Sequence, residues 1–189
     1  MEKTDLILDV CCGLKGWSNV WIREGYTVET LDIDKRFKPT YCMDVRDFKP
    51  IKKYKVIFCS PPCTYFTFAR CAITTDEERK EGLEIARKCF RIAENYSEYY
   101  IIENPYWKHS LQSYIKKKNH HIIDYCMYGY GYKKPTSIWT NIEGLEFRRC
   151  IHKFNSHPSS KMMYSSKQRA KIPVSLAQHL FDVLNNSIK

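Results

Sequence analysis

One stretch limits the fold more than any other: Val56-Ile57-Phe58-Cys59-Ser60-Pro61-Pro62-Cys63. Its apolar opening suits a strand buried on both faces, as in a parallel sheet. Two prolines then end it, because neither donates a ladder hydrogen bond. Cys63 follows at the carboxyl end of the strand, the position from which open α/β sheets address ligands. A cysteine there is either a small buried hydrophobe or a thiol aimed from a stiff turn at little entropic cost.

The rest of the chain alternates strands and helices around that stretch. Leu6-Ile7-Leu8-Asp9-Val10 reads as a first strand and residues 11–16 as a tight turn. Trp17, Val20 and Trp21 have helical spacing, which predicts a helix over 17–24 with Gly25 as its C-cap. Further strands are expected over 27–33, 41–43 and 54–59. Thr75-Asp76-Glu77-Glu78 forms a capping box, opening a helix to about Tyr96. Leu83, Ala86, Cys89, Phe90 and Ala93 mark its buried stripe. A fifth strand over 99–102 runs into Glu103-Asn104-Pro105. Residues 107–115 read as helical, and 122–127 and 138–142 as strands. Residues 143–172 lack periodicity and form a loop-rich basic segment. Pro173 then opens a last helix with Ala177, Leu180, Phe181, Leu184 and Ile188 along one face. This alternation predicts an α/β fold, a mostly parallel sheet with helices on both faces.

The formal net charge is +10, which favours an anionic partner such as nucleic acid. Arg148, Arg149, Lys153, Lys161, Lys167, Arg169 and Lys171 crowd one segment, and Lys116-Lys117-Lys118 with His120 and His121 make a second cluster. Aromatic and polar residues are interleaved with these charges, as on nucleic-acid-binding surfaces. No apolar run approaches the ~20 residues that span a membrane. The N-terminus lacks a signal peptide's basic start and apolar stretch, so a soluble cytoplasmic protein is expected. The nine cysteines are odd in number and include no CxxC pair, which favours reduced thiols. Cys150-x-His152, with His157 further on, invites a metal. The spacing fits no standard finger and no fourth ligand is evident, so no metal is assigned.

Asp9-Val10-Cys11-Cys12-Gly13-Leu14-Lys15-Gly16-Trp17 places an acid in a strand and two glycines in the turn that follows. Such a turn lets a ligand approach the backbone and opens onto a helix N-terminus. Asp32 closes the next strand, where nucleotide-binding α/β folds hold a ribose hydroxyl. Together these features point to an adenosine-containing cofactor.

In order along the chain, these residues resemble the cytosine-5 DNA methyltransferases. Asp9 to Trp17 is similar to that family's first cofactor motif, Asp-x-Phe-x-Gly-x-Gly-Gly-Phe, with Cys11 in place of the aromatic and Lys15 in place of a glycine. Pro62-Cys63 matches its Pro-Cys pair and Glu103-Asn104 its Glu-Asn pair. The resemblance implies a Rossmann-like fold, S-adenosylmethionine as cofactor, and methylation of carbon 5 of cytosine in DNA. It implies Cys63 as nucleophile at ring carbon 6 and Glu103 as hydrogen-bond or proton donor at ring nitrogen 3. It places Asp9, Cys11, Cys12, Gly13, Gly16, Trp17, Asp32, Asp44 and Pro61 at the cofactor, with Asp32 on the ribose and Asp44 at the adenine amino group. Pro62 and Asn104 fall at the target base; the basic cluster, not the resemblance, puts Arg148 and Arg149 on the nucleic acid. The family's Gln-x-Arg-x-Arg segment is replaced by Tyr132-Lys133-Lys134-Pro135, where Lys133 or Lys134 takes over the positive charge. The resemblance divides the chain into a catalytic core over 1–142, a reduced target-recognition segment over 143–172, and a C-terminal helix over 173–189. The shortened segment leaves two alternatives open: RNA or a free nucleotide as substrate, and a catalytically silent nucleic-acid-binding accessory subunit.

Overall fold

The computed structural model describes residues 1–70, 72–153, 157 and 165–186. Lys161 and Ile188, named above, lie outside the described residues, as does the side chain of Lys167. The elements are β1 (Leu6–Val10), α1 (Asn19–Arg23), β2 (Thr27–Asp32), β3 (Tyr41–Cys42), β4 (Tyr54–Cys59), α2 (Asp76–Tyr96), β5 (Ser97–Pro105), β6 (His120–Asp124), β7 (Pro135–Thr140), α3 (Ser166–Arg169) and α4 (Val174–Asn186).

They build one seven-stranded sheet in the order β3-β2-β1-β4-β5-β7-β6. All pairings are parallel except those of β7, which runs antiparallel to both β5 and β6. The fold is Rossmann-like. Strand order reverses between β1 and β4, which opens a crevice at their carboxyl ends. The register fixes what lines that crevice. Val10 pairs with Leu31 on one side and with Cys59 on the other, and Cys59 pairs with Ile102. The ends of β2, β1, β4 and β5 therefore lie in one row. Asp32, the turn after Val10, the Ser60–Cys63 turn and Glu103 all emerge from it.

Strand alternation divides the core into two layers. Leu8, Val10, Ile57, Cys59 and Ile102 face α2, packing on Ala86, Cys89, Phe90 and Ala93. Ile7, Val56, Phe58 and Ile101 face α1 and α4, packing on Trp17, Trp21, Ala177, Leu180 and Leu184. The capping box at Thr75 is formed, with the Glu78 N–H donating to Thr75 Oγ1 at 3.1 Å and the Thr75 N–H to the Glu78 carboxylate at 3.0 Å. No helix among the described residues is long and apolar enough to cross a membrane.

Several elements differ from the sequence expectation. The helix expected over 107–115 is only a single 3-10 turn, Leu111–Ser113. The Ser110 hydroxyl accepts from the Trp107 N–H and donates to the Trp107 carbonyl, each at 3.0 Å, and Ser113 donates to the Lys108 carbonyl at 2.7 Å. Serines that bond the backbone in this way compete with a helix. The helix expected over 17–24 is shortened to α1, because Trp17 and Ser18 remain in the turn. Strand β6 ends at Asp124, and a 3-10 turn, Tyr125–Tyr128, carries on to Gly129 in the left-handed region. Strand β5 extends to Pro105, so Glu103 and Asn104 are ladder residues opposite Ile138 and Ser137.

One glycine has a packing role the sequence does not reveal. Gly82 sits inside α2, where glycine costs about 1 kcal/mol relative to alanine. A Cβ there would lie 2.7 Å from the Tyr65 ring. Tyr65 belongs to the 3-10 turn Thr64–Phe66 directly after Cys63. Overpacking costs about 1–3 kcal/mol, so Gly82→Ala should lower stability by about 1 kcal/mol net. Urea denaturation measures this. A more stable variant would show that the Cys63 turn does not need the close approach.

Candidate active site

The cofactor side is built on the turn after β1. Cys11, Gly13 and Lys15 all take positive φ, of 54°, 46° and 55°. For a residue with a side chain this costs roughly 1–2 kcal/mol; surrounding contacts hold the strain in place. Lys15 thus adopts the backbone for which the family's glycine is suited. Asp32 folds back over the turn, its carboxylate accepting from the Gly13 N–H and the Asp34 N–H, both at 2.9 Å. Asp9 is buried beneath. One of its oxygens accepts from the Ser18 hydroxyl at 2.6 Å, and the other has no hydrogen-bond partner among the described residues. Burial pushes the Asp9 carboxyl up to about 7.

Beside this turn lies a cleft of about 170 Å³. Leu31, Ile33, Met43 and Val45 give it apolar walls, and Cys11, Asp32, Asp44 and Pro62 also line it. Asp44 is held by the Arg46 fork, with contacts of 3.0 and 2.6 Å, which keeps its carboxyl below the usual range. A flat base fits between the apolar walls, and ribose hydroxyls fit the Asp32 carboxylate. The unpartnered Asp9 oxygen is a further polar atom under the turn. These residues suit an adenosine-bearing cofactor.

The other half of the site starts at Cys63. This half-buried residue opens the 3-10 turn, its carbonyl accepting from the Phe66 N–H at 2.8 Å. The Trp107 indole N–H donates to the Phe66 carbonyl and pins the turn from outside. Burial pushes the Cys63 thiol up and the Glu103 charge adds to this, while the charges of Lys134 and Arg169 oppose it. Glu103 is 6% exposed. It accepts from the Tyr125 hydroxyl at 3.0 Å and lies 3.6 Å from Lys134 Nζ. Lys134 also donates to the Arg169 carbonyl at 2.9 Å and stands 4.5 Å from the Tyr125 ring centre. The Asn104 side-chain amide donates to the Pro61 carbonyl at 2.9 Å, tying the end of β5 to the proline turn.

The fold therefore brings Cys63, Glu103, Asn104 and Lys134 together, and gathers Cys11, Gly13, Asp32 and Asp44 around the cleft. The structure gives the other expected residues the following surroundings. Trp17 is a core residue, stacked on Phe58 at 5.9 Å. Gly16 packs against Ile172, whose Cβ would be 2.8 Å from an added Cβ. The Cys12 side chain is buried away from the cleft, with its thiol pushed up to about 12. Pro62 lines the cleft, whereas buried Pro61 serves Asn104. Lys133 turns away from Glu103, donating to the carbonyls of Cys150 and His152. Arg149 is tied to buried Asp124 at 2.8 Å, and Arg148 lies 3.7 Å from Glu146. In the second basic cluster, His121 stacks on Phe147 at 4.2 Å and His120 packs on Trp139 at 4.9 Å. Burial lowers both imidazoles, which favours their uncharged form. Sequence reasoning missed Tyr125 because its segment reads as strand. It placed Arg169 only among the surface basics.

The chain is 31% identical over 163 residues to the "Probable DNA (cytosine-5)-methyltransferase" of Frog virus 3 (isolate Goorha), an alignment spanning 79% of this chain and 72% of the relative. The chain belongs to the DNA (cytosine-5)-methyltransferase family. It is a cytosine-5 methyltransferase, and its cofactor is S-adenosylmethionine, for which the cleft residues are suited. No family model matches the chain. Likeness to solved structures is distant. The Dnmt2 methyltransferase of S. pombe superposes with a TM-score of 0.43 at 14% identity, over 75% of this chain and 51% of that one. The magnesium protoporphyrin IX methyltransferase of Synechocystis PCC 6803, solved with bound SAM, gives 0.43 at 13% identity, over 72% and 70%.

The Asp9 carboxyl gives this methyltransferase a pH signature. Between the ordinary value of 3.8 and about 7, folded Asp9 keeps a proton that the unfolded chain releases. Its contribution to stability therefore falls as pH rises through that window, and the loss is complete above it. Asp9→Asn should flatten the fall. Urea denaturation on both sides of the window, wild type against variant, measures the difference. Equal slopes would refute the assignment.

Proposed function

We propose that this methyltransferase acts on cytosine in DNA through a covalent bond from Cys63. The observation that carries the reading is the placement of Cys63 beside Glu103 and Lys134, next to the cofactor cleft. Carbon 5 of cytosine is a poor nucleophile until a thiolate adds to carbon 6. S-adenosylmethionine, when bound, would supply the electrophilic methyl group and leave as the neutral thioether. Cys63 supplies the thiolate, and its sulfur–carbon bond leaves carbon 5 electron-rich. Glu103 donates at ring nitrogen 3, where negative charge develops during that addition. Lys134 keeps Glu103 oriented and offsets the charge on the thiolate. Asn104 holds the Pro61 carbonyl, and with it the angle from which Cys63 approaches the ring. Loss of the carbon 5 proton then lets the Cys63 bond break, regenerating the thiol. A duplex stack would hide the ring, so the target base must be flipped out.

DNA is favoured by two features. The curated relative carries DNA in its name. Basic side chains are also concentrated in residues 145–171, which contain the single acid Glu146. We read 143–172 as a reduced target-recognition segment on a core of 1–142, with 173–189 packing back on that core.

Labelled S-adenosylmethionine with DNA, RNA and cytidine nucleotides in parallel tests the substrate. Label should enter DNA. Label in RNA or nucleotide alone would change the substrate, and binding without label would favour the accessory-subunit reading. DNA containing 5-fluorocytosine should form a covalent complex that survives denaturation. Cys63→Ser should abolish it, and full methyl transfer by that variant would overturn the mechanism. Glu103→Gln should lower the rate by about 10²–10⁴, the usual worth of a positioned acid. Lys134→Ala should cost about 10–100-fold, the worth of a hydrogen bond to a charged group, and Lys133→Ala should cost less.

A further inference from the structure

Away from the methyl-transfer site, three soft donors converge. The Sγ atoms of Cys126 and Cys150 and a ring nitrogen of His157 all lie within 4.8 Å of one another. They come from separate places: Cys126 from the 3-10 turn after β6, and Cys150 and His157 from the basic segment. A fourth donor stands beside them. His152 Nδ1 is 3.6 Å from Cys150 Sγ, and its ring lies edge-on to His157 with centroids 5.9 Å apart. The sequence showed Cys150, His152 and His157 but lacked a fourth ligand. The fold supplies it in Cys126, which is 24 residues before Cys150 and outside any finger spacing.

We propose that Cys126, Cys150, His152 and His157 bind one zinc ion. Two thiolates and two imidazoles are the donor set that tetrahedral zinc takes in closed structural sites. With zinc–sulfur bonds of about 2.3 Å and zinc–nitrogen bonds of about 2.0–2.1 Å, neighbouring sulfur and nitrogen ligands sit about 3.5 Å apart. The Cys150–His152 separation already has that value. His152 is exposed, so its ring has room to turn toward the other ligands. On binding, both thiols release their protons to solvent, and the two thiolates neutralise the dication. No electron transfer is involved.

The surroundings are those of a supported site. The Cys150 N–H donates to buried Asp124 at 2.9 Å, and the Lys133 ammonium holds the Cys150 and His152 carbonyls, the first at 3.2 Å. Backbone anchors of this kind fix ligand orientation around a metal. Ligand and anchor both adjoin the methyl-transfer site in sequence. Cys126 follows Tyr125, the donor to Glu103, and Lys133 precedes Lys134. Zinc would therefore staple the basic segment to the two residues that hold Glu103. Closing that loop is folding free energy supplied by the metal.

The test needs no methyl-transfer readout. The full chain, purified with a phosphine reductant and zinc and then desalted, should carry one zinc per chain by elemental analysis. Replacing zinc with cobalt(II) should give a thiolate charge-transfer band and the visible bands of a tetrahedral site. Cys126→Ser and Cys150→Ser should each lose both the metal and the bands, and His152→Ala should bind cobalt more weakly. Cys42→Ser, at an exposed thiol outside the cluster, should keep the metal, and circular dichroism checks that every variant is folded. Wild-type protein with neither zinc nor cobalt bands would overturn the site. So would folded Cys150→Ser that retains full metal.

Discussion

The register of four parallel strands is the constraint on which the rest depends. Val10, Leu31, Cys59 and Ile102 share one row. A slip of one residue in β4 would turn Val56 and Phe58 toward α2, and Ile57 and Cys59 toward α1 and α4. Both layers would lose their packing. The same row sets the positions of the cofactor turn, the Cys63 turn and Glu103. Hydrophobic burial therefore brings together, within one crevice, residues separated by more than ninety positions between Asp9 and Asn104.

The electrostatics within the crevice pull in opposite directions. Burial and the neighbouring Glu103 hold Cys63 toward its thiol form, while Lys134 and Arg169 favour the thiolate. A free thiolate beside an anionic Glu103 is costly. A Glu103 that holds the proton it shares with ring nitrogen 3 carries no full negative charge, which removes one of the two influences that keep Cys63 protonated. In the proposed mechanism this links nucleophile activation to correct placement of the base. A thiol kept protonated until then is shielded from oxidation, which proceeds from the thiolate.

Much of this was legible in the sequence wherever local chemistry decides the outcome. The proline stop after Cys59, the capping box at Thr75 and the Gly25 helix end are short-range signals, and each is found in the structure. The cofactor turn was legible as a turn, but the division of labour within it was not. Gly16 and Trp17 carry the motif's pattern, yet Gly16 abuts Ile172 and the Trp17 ring stacks on Phe58, partners that only the tertiary fold supplies. Lys133 and Lys134 were indistinguishable because neighbouring residues read alike until strand pleat and loop direction separate them. The expected helix over 107–115 failed because apolar spacing is blind to serines that capture backbone groups.

The basic segment is more than an appendage to the sheet. Its described part reaches both halves of the crevice within four residues. The Arg169 carbonyl accepts from Lys134, which holds Glu103, and Ile172 fills the space beside Gly16 in the cofactor turn. The Tyr130 hydroxyl donates to the Gln168 carbonyl one residue earlier. A displacement of 168–172 is therefore felt at both the cofactor turn and the Glu103 partners. Under the proposed docking of nucleic acid on the basic segment, binding and assembly of the site share this one structural element. Residues 168–172 couple to the core because the partners they pack and bond with, Tyr130, Lys134 and Gly16, belong to it.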